Sequence, residues 1–131
     1  MLRVLTVAVV GGAFLLTTAD RVHDWTDERR LWFGAVAVSP EKPRPWINLG
    51  NIYSRMNAGP LAQHAYETAL TLSESRPMPE REIGAGLASA NLALMAADRG
   101  DYWQARYLVG MAPQIPAVQE VGRWLARVSS H

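Results

Sequence analysis

The chain has 131 residues, is 49% hydrophobic and carries a formal net charge of +1, which is ordinary for one folded domain. Its positive charge is almost all arginine, Lys42 being the one lysine, and the arginines are interleaved with carboxylates, which excludes the basic stripe of a nucleic-acid binder. With no cysteine in the chain, disulfides, thiolate metal sites and a lipid-modified cysteine are excluded as well.

The first element is Val4 to Ala19, apolar apart from three threonines and bounded by Arg3 and Asp20. At about 1.5 Å per residue it spans roughly 24 Å against a hydrocarbon core of ~30 Å, and Leu2 with a snorkelling Arg3 extends it. The expectation is an uncleaved single-pass membrane anchor over 1–22. Two other readings stay open. Thr17-Thr18-Ala19 is an acceptable small-residue cleavage site for a signal peptide, and the stretch also suits a buried helix of a soluble domain. The arginines on its two flanks barely discriminate an orientation, but a signal-like start places the remainder of the chain on the periplasmic or extracytoplasmic side. Ala8 and Gly12 lie four apart on one helix face, a small-xxx-small pair against which another membrane helix packs closely.

Asp24 to Val38 reads as a helix: acids crowd its first turn, Leu31, Trp32, Ala35 and Val38 recur at helical spacing, and Ser39-Pro40 ends it. From Pro45 the pattern becomes specific. Trp46-x2-Leu49-Gly50-x2-Tyr53 is followed by Ala62-x3-Tyr66-x2-Ala69, with Asn57 to Pro60 as a stop and restart between two helices. Small Gly50 and Ala62 admit a close antiparallel approach, and Trp46, Leu49, Tyr53 and Tyr66 fill the space around them. In spacing and residue type the run resembles one complete tetratricopeptide repeat. The resemblance implies an all-α solenoid of helical hairpins over 23–131, with the clear repeat at 43–76. Trp32, Ala35 and Pro40 fall where the second helix of a preceding repeat has its packing residues, so 23–40 is expected to be half a repeat. The run Arg21 to Gly50, with Trp25, Glu28, Leu31-Trp32, Pro40 and Asn48-Leu49-Gly50, also resembles the joint between the last membrane helix and the first repeat in some polytopic membrane proteins. Some of those are glycosyltransferases; their catalytic loops are not in this sequence, so only the anchor-to-repeat joint is carried over.

Pro77-Met78-Pro79 interrupts the strict repeat period, and Glu80 and Glu82 open a longer helix through Leu87, Leu92, Leu94 and Met95 to Asp98, where Gly100 stops it. Asp101 caps the next helix, in which Ala105, Val109 and Ala112 keep the spacing of Ala62, Tyr66 and Ala69. Residues 79–115 are thus expected to be a degenerate repeat, with Ser89, Leu92-Ala93 and Ala96 where the first has Trp46, Leu49-Gly50 and Tyr53. Beyond Pro113 and Pro116, Val118, Val121, Leu125 and Val128 make one apolar face of a capping helix over 116–131, with Glu120, Arg123 and Arg127 towards water. The total is an N-terminal membrane helix and about six further helices.

Chemistry is not indicated. His23, His64 and His131 have no metal-ligand spacing, no nucleophile elbow or phosphate-binding glycine loop is present, and Asp24, Asp27, Glu28, Glu80 and Glu82 sit at helix starts where the dipole explains them. No catalytic residue, cofactor, metal or small-molecule substrate is expected. By the resemblance, the first helix of each pair lines a concave groove for a protein partner, which places Arg44, Ile47, Asn51, Ser54 and Arg55 there for the clear repeat. For the second repeat it places Leu87, Ala90, Leu94 and Ala97. Asn51 matches one asparagine of the family's carboxylate clamp, whereas Ile47 stands where that class has a lysine, so an apolar segment with an acidic group fits better than a chaperone tail. Trp103 and Trp124 lie outside the repeat's packing positions and are candidate exposed contact residues, with core filling as the other reading. Trp25 suits the headgroup belt of a membrane. The function expected is a non-enzymatic, membrane-anchored protein interaction scaffold. It is read as an accessory subunit of a secretion, respiratory or photosynthetic membrane complex, or alternatively as an adaptor that binds a peptide or soluble protein reversibly in its groove.

Overall fold

The computed structural model describes residues 26–128. The expected anchor over 1–22, with Ala8 and Gly12, lies outside the described residues, as does Trp25. Among the described residues there are six α-helices and no strand, and no helix is long and apolar enough to cross a membrane. The chain divides into two compact units, Met1–Leu31 and Trp32–His131. Helix α1 covers 26–38, and the rest of the second unit is built from α2 (Pro43–Arg55), α3 (Gly59–Glu74), α4 (Glu80–Asp98), α5 (Tyr102–Gly110) and α6 (Pro116–Val128).

Each helix ends where the sequence makes it end. Pro43 and Pro60 stand in the first turns of α2 and α3, where a missing N–H costs nothing. After α2, Asn57 takes the left-handed conformation at φ 56°, the Asn57 N–H donates to the Ser54 carbonyl (3.0 Å) and the Ala58 N–H to the Tyr53 carbonyl (2.8 Å). After α4, Gly100 does the same at φ 80°, with Gly100 N–H on Ala97 and Asp101 N–H on Ala96, both at 2.9 Å. Both are Schellman stops, which satisfy otherwise orphaned carbonyls. Asp101 then opens α5 by accepting from the Gln104 N–H at 3.0 Å. The offset that carries Asn57 onto Gly100 also carries Gly50 onto Ala93, Ala62 onto Ala105 and Ala69 onto Ala112, all of them buried. The two hairpins, α2 with α3 and α4 with α5, therefore share one plan, as a helical repeat requires.

Consecutive helices from α2 to α6 pack in turn, and α4 additionally touches α2 and α6, whereas α3 and α5 do not pack on each other. Helices α2, α4 and α6 thus form one row and α3 and α5 another. Within the first hairpin the helices come close at Gly50: a Cβ there would stand 2.4 Å from the Tyr66 ring, which is 2% exposed and fixed by its hydroxyl donating to Asn51 Oδ1 at 2.8 Å. Leu49, Ala62, Ala69 and Ala105 are likewise buried. Trp46 and Tyr53 are half-buried against this core, and the Trp46 indole N–H donates to the Pro40 carbonyl at 2.9 Å. Trp32 on α1 is half-buried, and its neighbour Phe33 meets Tyr53 edge to face at 6.3 Å. The expected apolar face of α1 is only partly covered, because Val38 at its end is 84% exposed.

Two stability experiments test this packing. Gly50→Ala is expected to lower unfolding free energy by about 1–3 kcal/mol in a urea titration, because the pinned Tyr66 ring cannot yield, while Gly110→Ala, whose Cβ meets nothing within 4 Å, is expected to be neutral or mildly stabilising. Burial pushes the Tyr66 hydroxyl up to about 12, with the Arg55 charge pulling the other way. The neutral phenol is what the fold holds, so the stability this group contributes is fully present below pH ~10 and is lost as pH rises from there towards 12. Tyr66→Phe should abolish that alkaline decline and cost about 1 kcal/mol at neutral pH through the donor lost to Asn51.

Candidate functional site: the groove between α4 and α6

Helix α4 carries Leu87, Ala90, Asn91 and Leu94 on the face it turns towards α6, and α6 answers with Ala117, Val121 and Trp124. These side chains line a groove of about 470 Å³ whose walls are apolar and whose edge carries Glu120 and Arg127. Ala90 is buried at the floor, whereas Leu87 and Leu94 remain 37% and 39% exposed, with no further helix among the described residues covering them. Their seven-residue spacing places both on the same stripe of α4, across the groove from Trp124 of α6. Val118, Val121 and Leu125 hold α6 down with at most 8% exposure, while Glu120, Arg123 and Arg127 stay at the surface.

The nine residues expected in a partner groove separate. Leu87, Ala90 and Leu94 come together here. Ile47 is instead buried in the core at 6% exposure, which removes it from any contact surface. Asn51 is half-buried and its side-chain oxygen accepts from the Tyr66 hydroxyl, which ties it to the packing of the first hairpin, and it does not line this groove. Arg44 and Arg55 are exposed on α2 but do not line this groove, and Ser54 lines a separate depression at the end of the first hairpin. Ala97, expected beside them, is 5% exposed and belongs to the core. Of the two tryptophans outside the repeat pattern, Trp124 is half-buried and lines the groove, and Trp103 is 75% exposed on α5.

Sequence reasoning missed what α6 contributes beyond capping. Trp124 was singled out as a contact candidate, but Ala117 was not, and Val121 was assigned to the capping face alone; the three recur at spacings of four and three and line the groove together. It also missed Gly84 and Gly86, whose added Cβ atoms would stand 2.4 Å from Ser73 Oγ and 2.6 Å from Ile115. Glycines inside a helix signal such close approaches. Among the described residues no three of His, Asp and Glu gather as a metal site, and His64 is exposed with its ring edge to face with Trp46 at 6.4 Å.

No protein-family model matches the chain, and neither the curated proteins nor the solved structures yield a match. If the groove exists to meet a partner, its leucines contribute little to folding: Leu94→Ser is expected to change unfolding free energy by at most about 0.5–1 kcal/mol, while Leu92→Ala, two residues away and 7% exposed, is expected to cost about 2–5 kcal/mol in the same urea titration.

Proposed function

We propose that this chain is a non-enzymatic interaction scaffold of the tetratricopeptide type, held at a membrane by its apolar N-terminal stretch and acting as an accessory subunit of a larger membrane complex. The observation that carries the scaffold reading is the α4–α6 groove, whose leucines and indole edge are left without a partner from the chain's own described residues. The repeat reading is supported by the paired Schellman stops and by Gly50 packed on Tyr66, the positions that the sequence pattern singles out. The subunit reading is favoured by the spread of uncovered apolar side chains: Val38, Leu61, Ile83 and Trp103 are all more than half exposed and sit on four different helices. Several uncovered apolar areas suit lasting burial by neighbours more than one reversible contact. The extracytoplasmic placement rests on the signal-like start alone.

The groove itself favours the second reading, a reversible adaptor for a peptide with apolar anchors, because it is open and preformed. Gentle solubilisation of native membranes and isolation of the tagged full-length chain, beside a version starting at Asp20, separates the two. The subunit reading expects a fixed set of membrane proteins to accompany the full-length chain only, and Leu94→Glu to leave that set bound. The adaptor reading expects one soluble partner with both versions, lost in Leu94→Glu.

A further inference from the structure

A second uncovered surface lies on α1, which contributes no residue to the α4–α6 groove. The offset that carries Trp32 onto Tyr66 and Ala35 onto Ala69 carries Leu31 onto Ala65, and the offset between the two hairpins carries Ala65 onto Leu108. Ala65 and Leu108 are buried in α3 and α5, whereas Leu31 is 64% exposed. By the same offsets the exposed Val38 falls on Leu72 and Ile115, both half-buried. Helices α3 and α5 each follow a first helix in their hairpins, and among the described residues no such helix precedes α1. Between Leu31 and Val38, on the same stripe, stands Gly34. A glycine inside a helix is unfavourable relative to alanine, and its usual reason is a neighbour that needs the space. Gly50, Gly84, Gly86 and Gly122, the other glycines away from helix ends among the described residues, each have that neighbour, with an added Cβ standing 3.1 Å or less from a side chain. At Gly34 an added Cβ would meet nothing within 4 Å.

A helix crossing α1 at Gly34 would therefore fit between Leu31 and Val38. The stripe reads nearly alike in both directions, with an apolar side chain three residues before the glycine and another four after it. A second α1 running antiparallel sets Leu31 of each copy against Val38 of the other, the reciprocity that a two-fold interface demands. It also brings Asp27, exposed on the same stripe, towards Lys42, which follows α1 in the other copy. The last helix offers no such match, since the exposed side chains of α6 are chiefly Gln119, Glu120, Arg123 and Arg127. We infer that α1 is a self-docking surface, on which α1 of a second copy crosses antiparallel at Gly34 and each helix supplies the first helix that the other's half repeat lacks. A single helix face is at the small end of specific interfaces, so the pairing is reversible and depends on concentration. It needs neither the α4–α6 groove nor the membrane stretch.

The test follows the full-length chain in a density-matched non-ionic detergent by sedimentation equilibrium over a range of protein concentrations. A monomer–dimer equilibrium is expected, its dissociation constant raised about tenfold in Gly34→Leu, which blocks the crossing, and by a similar factor in Val38→Glu. Both positions are exposed, so circular dichroism of the variants should match that of the parent chain. Because the chain has no cysteine, Gly34→Cys reports the crossing directly: mild oxidation is expected to give a disulfide-linked dimer, whereas Ala126→Cys, exposed on α6, is expected to give none. Gly12→Leu and Leu94→Glu should leave the equilibrium unchanged, which separates α1 from the membrane stretch and from the α4–α6 groove. A monomer at every concentration would leave α1 to another protein or to lipid and overturns the inference. So does a dimer that Gly34→Leu leaves intact or Gly12→Leu abolishes, or a Gly34→Cys chain that does not cross-link.

Discussion

Helix α4 packs on α2, α3, α5 and α6, and that degree of contact is possible only because its surface is built from small residues. Gly84 lets α3 approach until Ser73 occupies the place of a side chain, Gly86 does the same for Ile115 in the turn before α6, and Ala88, Ala93 and Ala96 are completely buried. A larger side chain at any of these would push a neighbour off, since interiors pack at crystal-like density and helix axes must come within about 8–10 Å. Ser73 remains satisfied at that distance because its hydroxyl donates to the Ala69 carbonyl at 2.7 Å. Few large side chains interlock here; the fold depends on backbones being allowed to come close.

Close packing around one central helix also decides where the surface is incomplete. Among the described residues α6 is the last helix of the row α2, α4 and α6, and α3 and α5 each pack on α4 without packing on each other. The first arrangement leaves a groove floored by Ala90 and edged by Leu87, Leu94 and Trp124; the second leaves a cleft floored by Leu92 and Ala96. Both depressions arise from the packing order, with no loop needed to shape them. Binding surfaces on rigid helices are preorganised, which limits the ordering cost of association.

The two depressions differ in what surrounds them. Around the α4–α6 groove the charged edge is one acid and one base, Glu120 and Arg127, so apolar contact dominates. Around the α3–α5 cleft one acid and one base, Glu67 and Arg99, stand beside Tyr107, whose ring is stacked on Trp103.

The sequence alone determined the helices and their ends. Asn57, Gly100, Asp101 and the prolines at helix starts act through the backbone of their immediate neighbours, so their effect is local and readable, and Gly50 with Tyr66 was legible because a spaced motif names both partners. What only the tertiary structure decided was which side of each helix met another helix. Ile47 and Asn51 read as surface residues but were taken up by the core and by the Tyr66 hydroxyl, while Trp124 and Trp103, indistinguishable by residue type, ended in a groove and on an open crest. Helical periodicity gives a residue's angle around its own axis, but exposure depends on where the neighbouring axes lie. Those positions are set by long-range contacts of α4 that no local pattern contains.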